Sequence, residues 1–267
     1  MFNVASCQRH SLIPFPFPFI WLLSNPNMSQ GILYGTVHTR TILAVGLIRS
    51  FHLDIEVLKK GSPGHIEHFP NGKVPALVAA DGLLLQEVIA VLFYLVSLHD
   101  PSSPLLGSDI RSKALVLKYL SWGTTEFMRP VTVAADNILG RSSCPYNKRL
   151  VDDAVAQINI HVQELEERLI YKTFLVGERI TLADLFVATC FYRPFGLLLD
   201  SQWRQDHPIL MRWFKTVVAS PYLSYFFDSF EYATQQASPS TVSLKIEDRN
   251  NDGRDPVGAV VKGQGRP

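Results

Sequence analysis

The spacing of apolar positions changes along the chain, and the change divides it in two. Gly31-Ile32-Leu33-Tyr34 is a short apolar run closed by Gly35, which predicts a buried strand. From Thr39 to Ile48, the residues Ile42, Leu43, Val45, Gly46 and Leu47 predict a largely buried helix. His52 to Val57 alternates, with Leu53, Ile55 and Val57 against Asp54 and Glu56, as a half-exposed strand does. Lys59 to Gly64 is polar and broken by Gly61, Pro63 and Gly64. Val74 to Val78 and Leu83 to Leu85 flank Asp81-Gly82, the strongest short hairpin signal. A helix from Glu87 to Leu98 follows, with Ile89, Leu92, Phe93 and Val96 spaced to pack on a sheet.

Strand, helix, strand, hairpin, helix is the order of a thioredoxin-like α/β domain. The hairpin supplies one antiparallel pair on an otherwise parallel sheet. After a linker at 101–107 the pattern is helix alone, so the second domain is an all-α bundle. Ala114 to Asn137 reads as one long helix. Val151, Val155, Ile158, Val162, Leu165 and Leu169 form one apolar seam on another, with Asp152, Asp153, Glu164 and Glu167 off it. Thr181-Leu182-Ala183-Asp184 is a capping box with Ile180 and Leu185 as its staple. The helix it opens is apolar nearly all round and belongs at the bundle centre. That makes Asp184 structural, worth about 1 kcal/mol as a cap and more if buried. Pro208 opens a further helix carrying Leu210, Trp213, Phe214 and Val217.

Composition narrows the class. The 267 residues are 47% hydrophobic and 18% charged with a net charge of +1, ordinary for a soluble globular protein. No nucleic-acid or membrane partner is expected. Cys7, Cys144 and Cys190 are far apart and form no CxxC pair, so they read as incidental thiols in a reducing compartment. No metal site is expected. Residues 1–27 alternate phenylalanine with proline between 14 and 19, which opposes a signal helix. They read as a disordered extension or a misassigned start, with Met28 as the true start. The organisation expected is a thioredoxin-like domain at 28–100, a linker at 101–107, a helical domain at 108–232 and a flexible tail at 233–267.

Specific strings carry a family resemblance. Asn71-Gly72-Lys73-Val74-Pro75-Ala76-Leu77 resembles the loop before the cis-proline of glutathione transferases. Leu85-Gln86-Glu87, with Ile89-Ala90 and Tyr94-Leu95, is similar to the stretch that grips the glutamyl end of glutathione in that family. Gly177 to Asp184 resembles its helical-domain signature. Met28 to Tyr34, Pro145-Tyr146-Asn147-Lys148, and the group Trp203-Arg204, His207-Pro208, Arg212-Trp213-Phe214 resemble the branch with fungal elongation factor 1B gamma subunits. The resemblance spans about Met28 to Asp228. It does not extend to the linker and large C-terminal domain of the full-length subunit.

The resemblance implies the glutathione transferase fold, a cytoplasmic homodimer, and glutathione as co-substrate with no other cofactor. It implies conjugation or thiol transfer to a small apolar or aromatic electrophile near Tyr119, Trp122 and Phe127. Stand-alone members of this branch suggest a setting in fungal secondary metabolism. The alternative is a non-catalytic docking module for elongation factor 1B subunits. A hydroxyl hydrogen-bonded to sulfur favours the thiolate, the reactive form. In theta-like members it is a serine four residues before an arginine. Here the arginine is Arg40 and the position is Thr36, with His38 and Thr39 as alternatives. Lys73, Val74, Pro75, Gln86, Glu87 and Val88 are the implied glutathione-binding residues. The family prefers serine at the place of Val88. Losing that bond to a charged group costs about 1.5–3 kcal/mol. A disulfide reductase is disfavoured, because no cysteine follows the first strand.

Overall fold

A computed structural model describes residues 29–35 and 38–239. The expectations placed on 1–27, on Thr36 and on the chain beyond 239 lie outside the described residues. The first half holds β1 (Gly31–Tyr34), α1 (Ile42–Ser50), β2 (Ile55–Leu58), α2 (His65–His68), β3 (Ala76–Ala79), β4 (Leu84–Gln86) and α3 (Val88–His99). β2 starts later than the alternation predicts. His52 sits in the left-handed region at φ 53° as the chain leaves α1, so it belongs to a turn.

The strands lie in the order β2-β1-β3-β4. β1 is parallel to β2 and antiparallel to β3, and β3 is antiparallel to β4. The sheet therefore has two antiparallel pairs where the sequence reading expects one. The register explains why. Leu58 ends β2 beside Tyr34, and Ala76 starts β3 beside the same Tyr34. The chain from 59 to 75 begins and ends at one end of the sheet, so β3 must run back. The polar stretch there is not pure loop, since it contains α2.

A 3₁₀ turn at Pro104–Leu106 leads to the helical half: α4 (Ile110–Trp122), α5 (Met128–Ile138), α6 (Lys148–Leu169), α7 (Leu182–Cys190), α8 (Ser201–Asp206), α9 (Pro208–Val218) and α10 (Ser224–Phe227). The single helix expected over 114–137 is two helices joined by a π turn at Gly123–Phe127. Gly123 lies against Phe186, where a Cβ would come within 3.1 Å of the ring. Thr124 and Thr125 bond back to the carbonyls of Leu120 (2.8 Å) and Ser121 (3.0 Å), which helps bend the backbone. The α6 seam buries Val151, Ala154, Ile158, Val162, Leu165 and Leu169, with Ala154 in place of the expected Val155. α6 packs on both α5 and α9, and its buried stripe differs from the predicted seam by one position in this turn.

Asp184 is the polar centre of this bundle. Its carboxylate accepts from Leu175 N (2.7 Å), Trp213 Nε1 (3.0 Å), Thr181 N (3.0 Å) and the Thr181 hydroxyl (2.9 Å). Phe127, Phe186, Phe191, Phe195, Trp213 and Phe214 are fully buried around it. α1 docks on α7 and joins the two halves. Gly46 allows this, because a Cβ there would overlap the Tyr222 carbonyl. The Tyr225 hydroxyl donates to Ile42 O (2.7 Å) and the Ser50 hydroxyl to Pro221 O (2.9 Å).

The tail expected to be flexible from 233 starts out held. Ala233 N donates to Phe195 O and Ala237 N to Leu197 O, both at 2.7 Å, and Arg204 donates to Ala233 O. Its backbone groups complete the carbonyls left open by a second π turn at Pro194–Leu198. No helix among the described residues is long and apolar enough to cross a membrane.

Candidate functional site

The predicted site residues come from three segments that meet at one end of the sheet. Gly35 ends β1 with its Cα facing Thr41 and Val74, and a Cβ there would come within 2.6 Å of the Thr41 methyl and 3.3 Å of Val74 Cβ. Gly35 therefore lies directly beside Val74 of the Lys73-Val74-Pro75 loop. The Val74–Pro75 peptide is cis, as the resemblance implies.

That loop is braced from both sides. Asn71 and Gln86 exchange two hydrogen bonds, Nδ2 to Oε1 at 3.3 Å and Nε2 to Oδ1 at 2.9 Å. Asn71 Oδ1 also accepts from Lys73 N (3.1 Å). His65, wholly buried, accepts from Gly61 N at Nδ1 (2.9 Å) and contacts Lys73 O through Nε2 (3.2 Å). Gln86 thus spends its amide on Asn71, and the Lys73 side chain stays exposed. The sequence reading missed Asn71 and His65 as braces. The only signal for either was polarity inside a loop.

Glu87 stands between β4 and α3 with φ 70° and ψ 125°. It is exposed, and its side chain makes no hydrogen bond or ion pair among the described residues. Its carbonyl accepts from Val91 N (3.0 Å) as the helix begins, but no side-chain contact holds it there, and strain of this kind clusters at functional positions. Val88, the first residue of α3, is 3% exposed and part of the core. Its side chain faces inward, and only the amides at the start of α3 face the site from here.

The three thiol-activating candidates separate. Thr36 lies outside the described residues. Thr39 is 5% exposed, and its hydroxyl is sealed from solvent with no partner, so no ligand reaches it in this conformation. His38 keeps solvent access, with its backbone N–H held by the Thr41 hydroxyl at 3.0 Å. Partial burial lowers the pKa of its imidazole below 6.5, and the charges of Lys60, Arg193 and Arg141 add to the effect. Arg193 and Arg141 come from the helical half and share Asp136. Arg193 Nη1 meets its carboxylate at 3.2 Å, and Arg141 N donates to its carbonyl at 2.8 Å. Sequence spacing held no signal for this cationic cluster.

The aromatic residues expected near an electrophile are mostly core. Tyr119 is 6% exposed and Phe127 fully buried, with only Trp122 half-buried. A groove of about 340 Å³ between α5 and α6 is lined by Glu126, Arg129, Val133, Leu150, Asp153 and His161, among others. It contains none of the residues above and is not this site.

Comparison with known proteins agrees with the geometry. Residues 119–221 match the family described as "Glutathione S-transferase, C-terminal domain". The chain is 35% identical over 219 residues to elongation factor 1-gamma 1 of Saccharomyces cerevisiae, covering 79% of this chain and 52% of that protein. It spans about half the length of that relative. It is 30% identical over 200 residues to the glutathione S-transferase stcT of Emericella nidulans, covering 70% of this chain and 89% of that one. The crystal structure of the GST-like domain of elongation factor 1-gamma from Saccharomyces cerevisiae superposes with a TM-score of 0.71 at 33% identity, covering 79% of this chain and 99% of that one.

Proposed function

Because the chain belongs to the glutathione S-transferase family, we propose that it binds glutathione as co-substrate and conjugates it, through its sulfur, to a small apolar or aromatic electrophile. The conformation of Glu87 carries this reading: a strained, exposed residue at a helix start, beside the Val74 loop, whose side chain has no hydrogen bond or ion pair among the described residues. In this reading the backbone of Val74 pairs with the cysteinyl part of the tripeptide, as an added strand would. The Glu87 carboxylate takes the glutamyl ammonium, and the first amides of α3 take the glutamyl carboxylate. Lys73 faces the glycyl carboxylate. The thiolate sits near His38, where Lys60, Arg141 and Arg193 favour an anion. The thiolate attacks the electrophilic carbon, a C–S bond forms, and the leaving group departs with its electron pair. Thr36 remains the other candidate donor to sulfur.

The same reading places the protein in the cytoplasm as a homodimer, in fungal secondary metabolism. Leu84 on the edge strand and Phe93 on α3, 47% and 44% exposed, are the apolar surface such a dimer would cover. Retention on immobilised glutathione together with turnover of a generic aromatic halide tests the enzyme. A folded protein that shows neither sinks it.

A second reading is a docking module that binds elongation factor 1B subunits without catalysis. The likeness to the yeast GST-like domain favours it, as does the inward-facing Val88 where the family prefers a serine hydroxyl. Glutathione retention without turnover, together with co-purification of those subunits, would decide for it.

A further inference from the structure

His65 is buried, titratable and unused in the reading above. It accepts the Gly61 N–H at Nδ1 (2.9 Å). An imidazole nitrogen that accepts carries no proton, so the neutral ring's hydrogen is on Nε2. Nε2 then donates to Lys73 O (3.2 Å). The ring is wholly buried and stacks on Tyr34, with centroids 4.9 Å apart, which fixes its plane.

Lys73 C=O and Val74 N–H belong to one peptide unit. A trans peptide is planar, so its C=O and N–H point in opposite directions. Val74–Pro75 is the one cis bond among the described residues, so the unit before it is trans. Drawing Lys73 O inward onto His65 turns the Val74 N–H outward. Among the described residues that N–H has no hydrogen-bond partner. Asn71 accepts from the Lys73 N–H (3.1 Å), which belongs to the preceding peptide unit, so the chain is also held where it enters the Lys73–Val74 plane.

We propose that His65, as the Nε2–H tautomer, is a positioning residue that orients the Lys73–Val74 peptide so that the Val74 N–H faces a bound thiol peptide. This rests on the glutathione reading. The two ring contacts can be separated in the full-length protein. In His65→Gln the side-chain amide NH₂ replaces Nε2 and keeps the Lys73 contact. In His65→Asn the side-chain oxygen replaces Nδ1 and keeps the Gly61 contact.

Titration calorimetry with glutathione should give His65→Gln a Kd within about twofold of the wild type. His65→Asn should bind about fivefold to tenfold more weakly, the size of one neutral hydrogen bond. A brace with no role in binding would lower the melting point of both variants and leave both Kd values alike. That result overturns the proposal. Should a variant fail to fold, the ¹⁵N shifts of His65 in the wild type decide. An Nε2–H tautomer supports the assignment, and an Nδ1–H tautomer overturns it. If the wild type binds no glutathione, the transferase reading falls separately. The Lys73 carbonyl ¹³C shift then tests the peptide orientation alone. It should move in the Asn variant and hold in the Gln variant, and the reverse overturns it.

Discussion

Replacing Glu87 by glycine should make the free protein more stable and bind glutathione less well. Glu87 sits at φ 70° and ψ 125°, outside the regions an L residue prefers. Such a conformation costs about 1–3 kcal/mol. The exposed side chain makes no hydrogen bond or ion pair among the described residues, so no side-chain contact offsets the strain, and the bond from Val91 N to its carbonyl is one that glycine keeps. Glycine relieves the strain, and its greater freedom in the unfolded chain takes back about 0.5–1 kcal/mol. The net gain is about 0–2.5 kcal/mol. Glu87→Ala keeps the strain and should stay within about 0.5 kcal/mol of the wild type. For a chain of this size each kcal/mol moves Tm by about 2–4 °C. The glycine variant should therefore melt above the alanine variant, by up to about 10 °C, in side-by-side thermal unfolding. Both should be retained less on immobilised glutathione. A glycine variant that melts at or below the alanine variant refutes the strain argument, and with it the main support for a glutamyl site.

Four more outcomes follow from particular side chains. Val88→Ser places a hydroxyl at the start of α3 at the expense of a core side chain. It should lose about 1–3 kcal/mol in thermal unfolding and, because position 88 faces inward, leave glutathione affinity within about twofold in calorimetry. A roughly tenfold gain would mean that the hydroxyl reaches the ligand, against the inward placement. Asp184→Asn keeps at most one acceptor oxygen for four donors, so it should cost about 3–5 kcal/mol in denaturant unfolding. A loss near 1 kcal/mol, the worth of the cap alone, would refute the network. His38 has its pKa lowered from 6.5 by burial and cationic neighbours, so the unfolded chain binds more protons just below that pH. Its contribution to stability is thus lost as pH falls below 6.5. An NMR titration midpoint at or above 6.5 would contradict this. Burial pushes the Cys190 thiol far above its ordinary range, while Cys144 is exposed. A thiol reagent should label Cys144 in the folded protein and spare Cys190.

What the sequence made legible was local. The capping box at Thr181, the Asp-Gly hairpin and the apolar seam of α6 each depend on neighbours a few residues away, and each is present. What it hid depends on contacts between distant segments. The π turn at Gly123 follows from Phe186 packing on it, and no period within 114–137 encodes that. The direction of β3 follows from where the 59–75 segment ends. Arg141 and Arg193 reach the neighbourhood of His38 because α1 packs on α7 and α5 packs near the second π turn. Thr39 looked equivalent to His38 as a donor until burial sealed its hydroxyl.

The same division sharpens the choice between the two functions. The backbone features that the glutathione reading calls on are the Lys73–Val74 peptide held by His65, the Lys73 N–H held by Asn71, and the strained turn at Glu87. The side-chain features are not all present, because Val88 points into the core. Backbone geometry of this kind persists through packing even when a ligand is no longer used, so it supports binding more than turnover. Strain is different, because relieving it takes a single substitution to glycine. In the glutathione reading, strain kept at an exposed residue whose side chain makes no hydrogen bond or ion pair among the described residues weighs toward a site still in use.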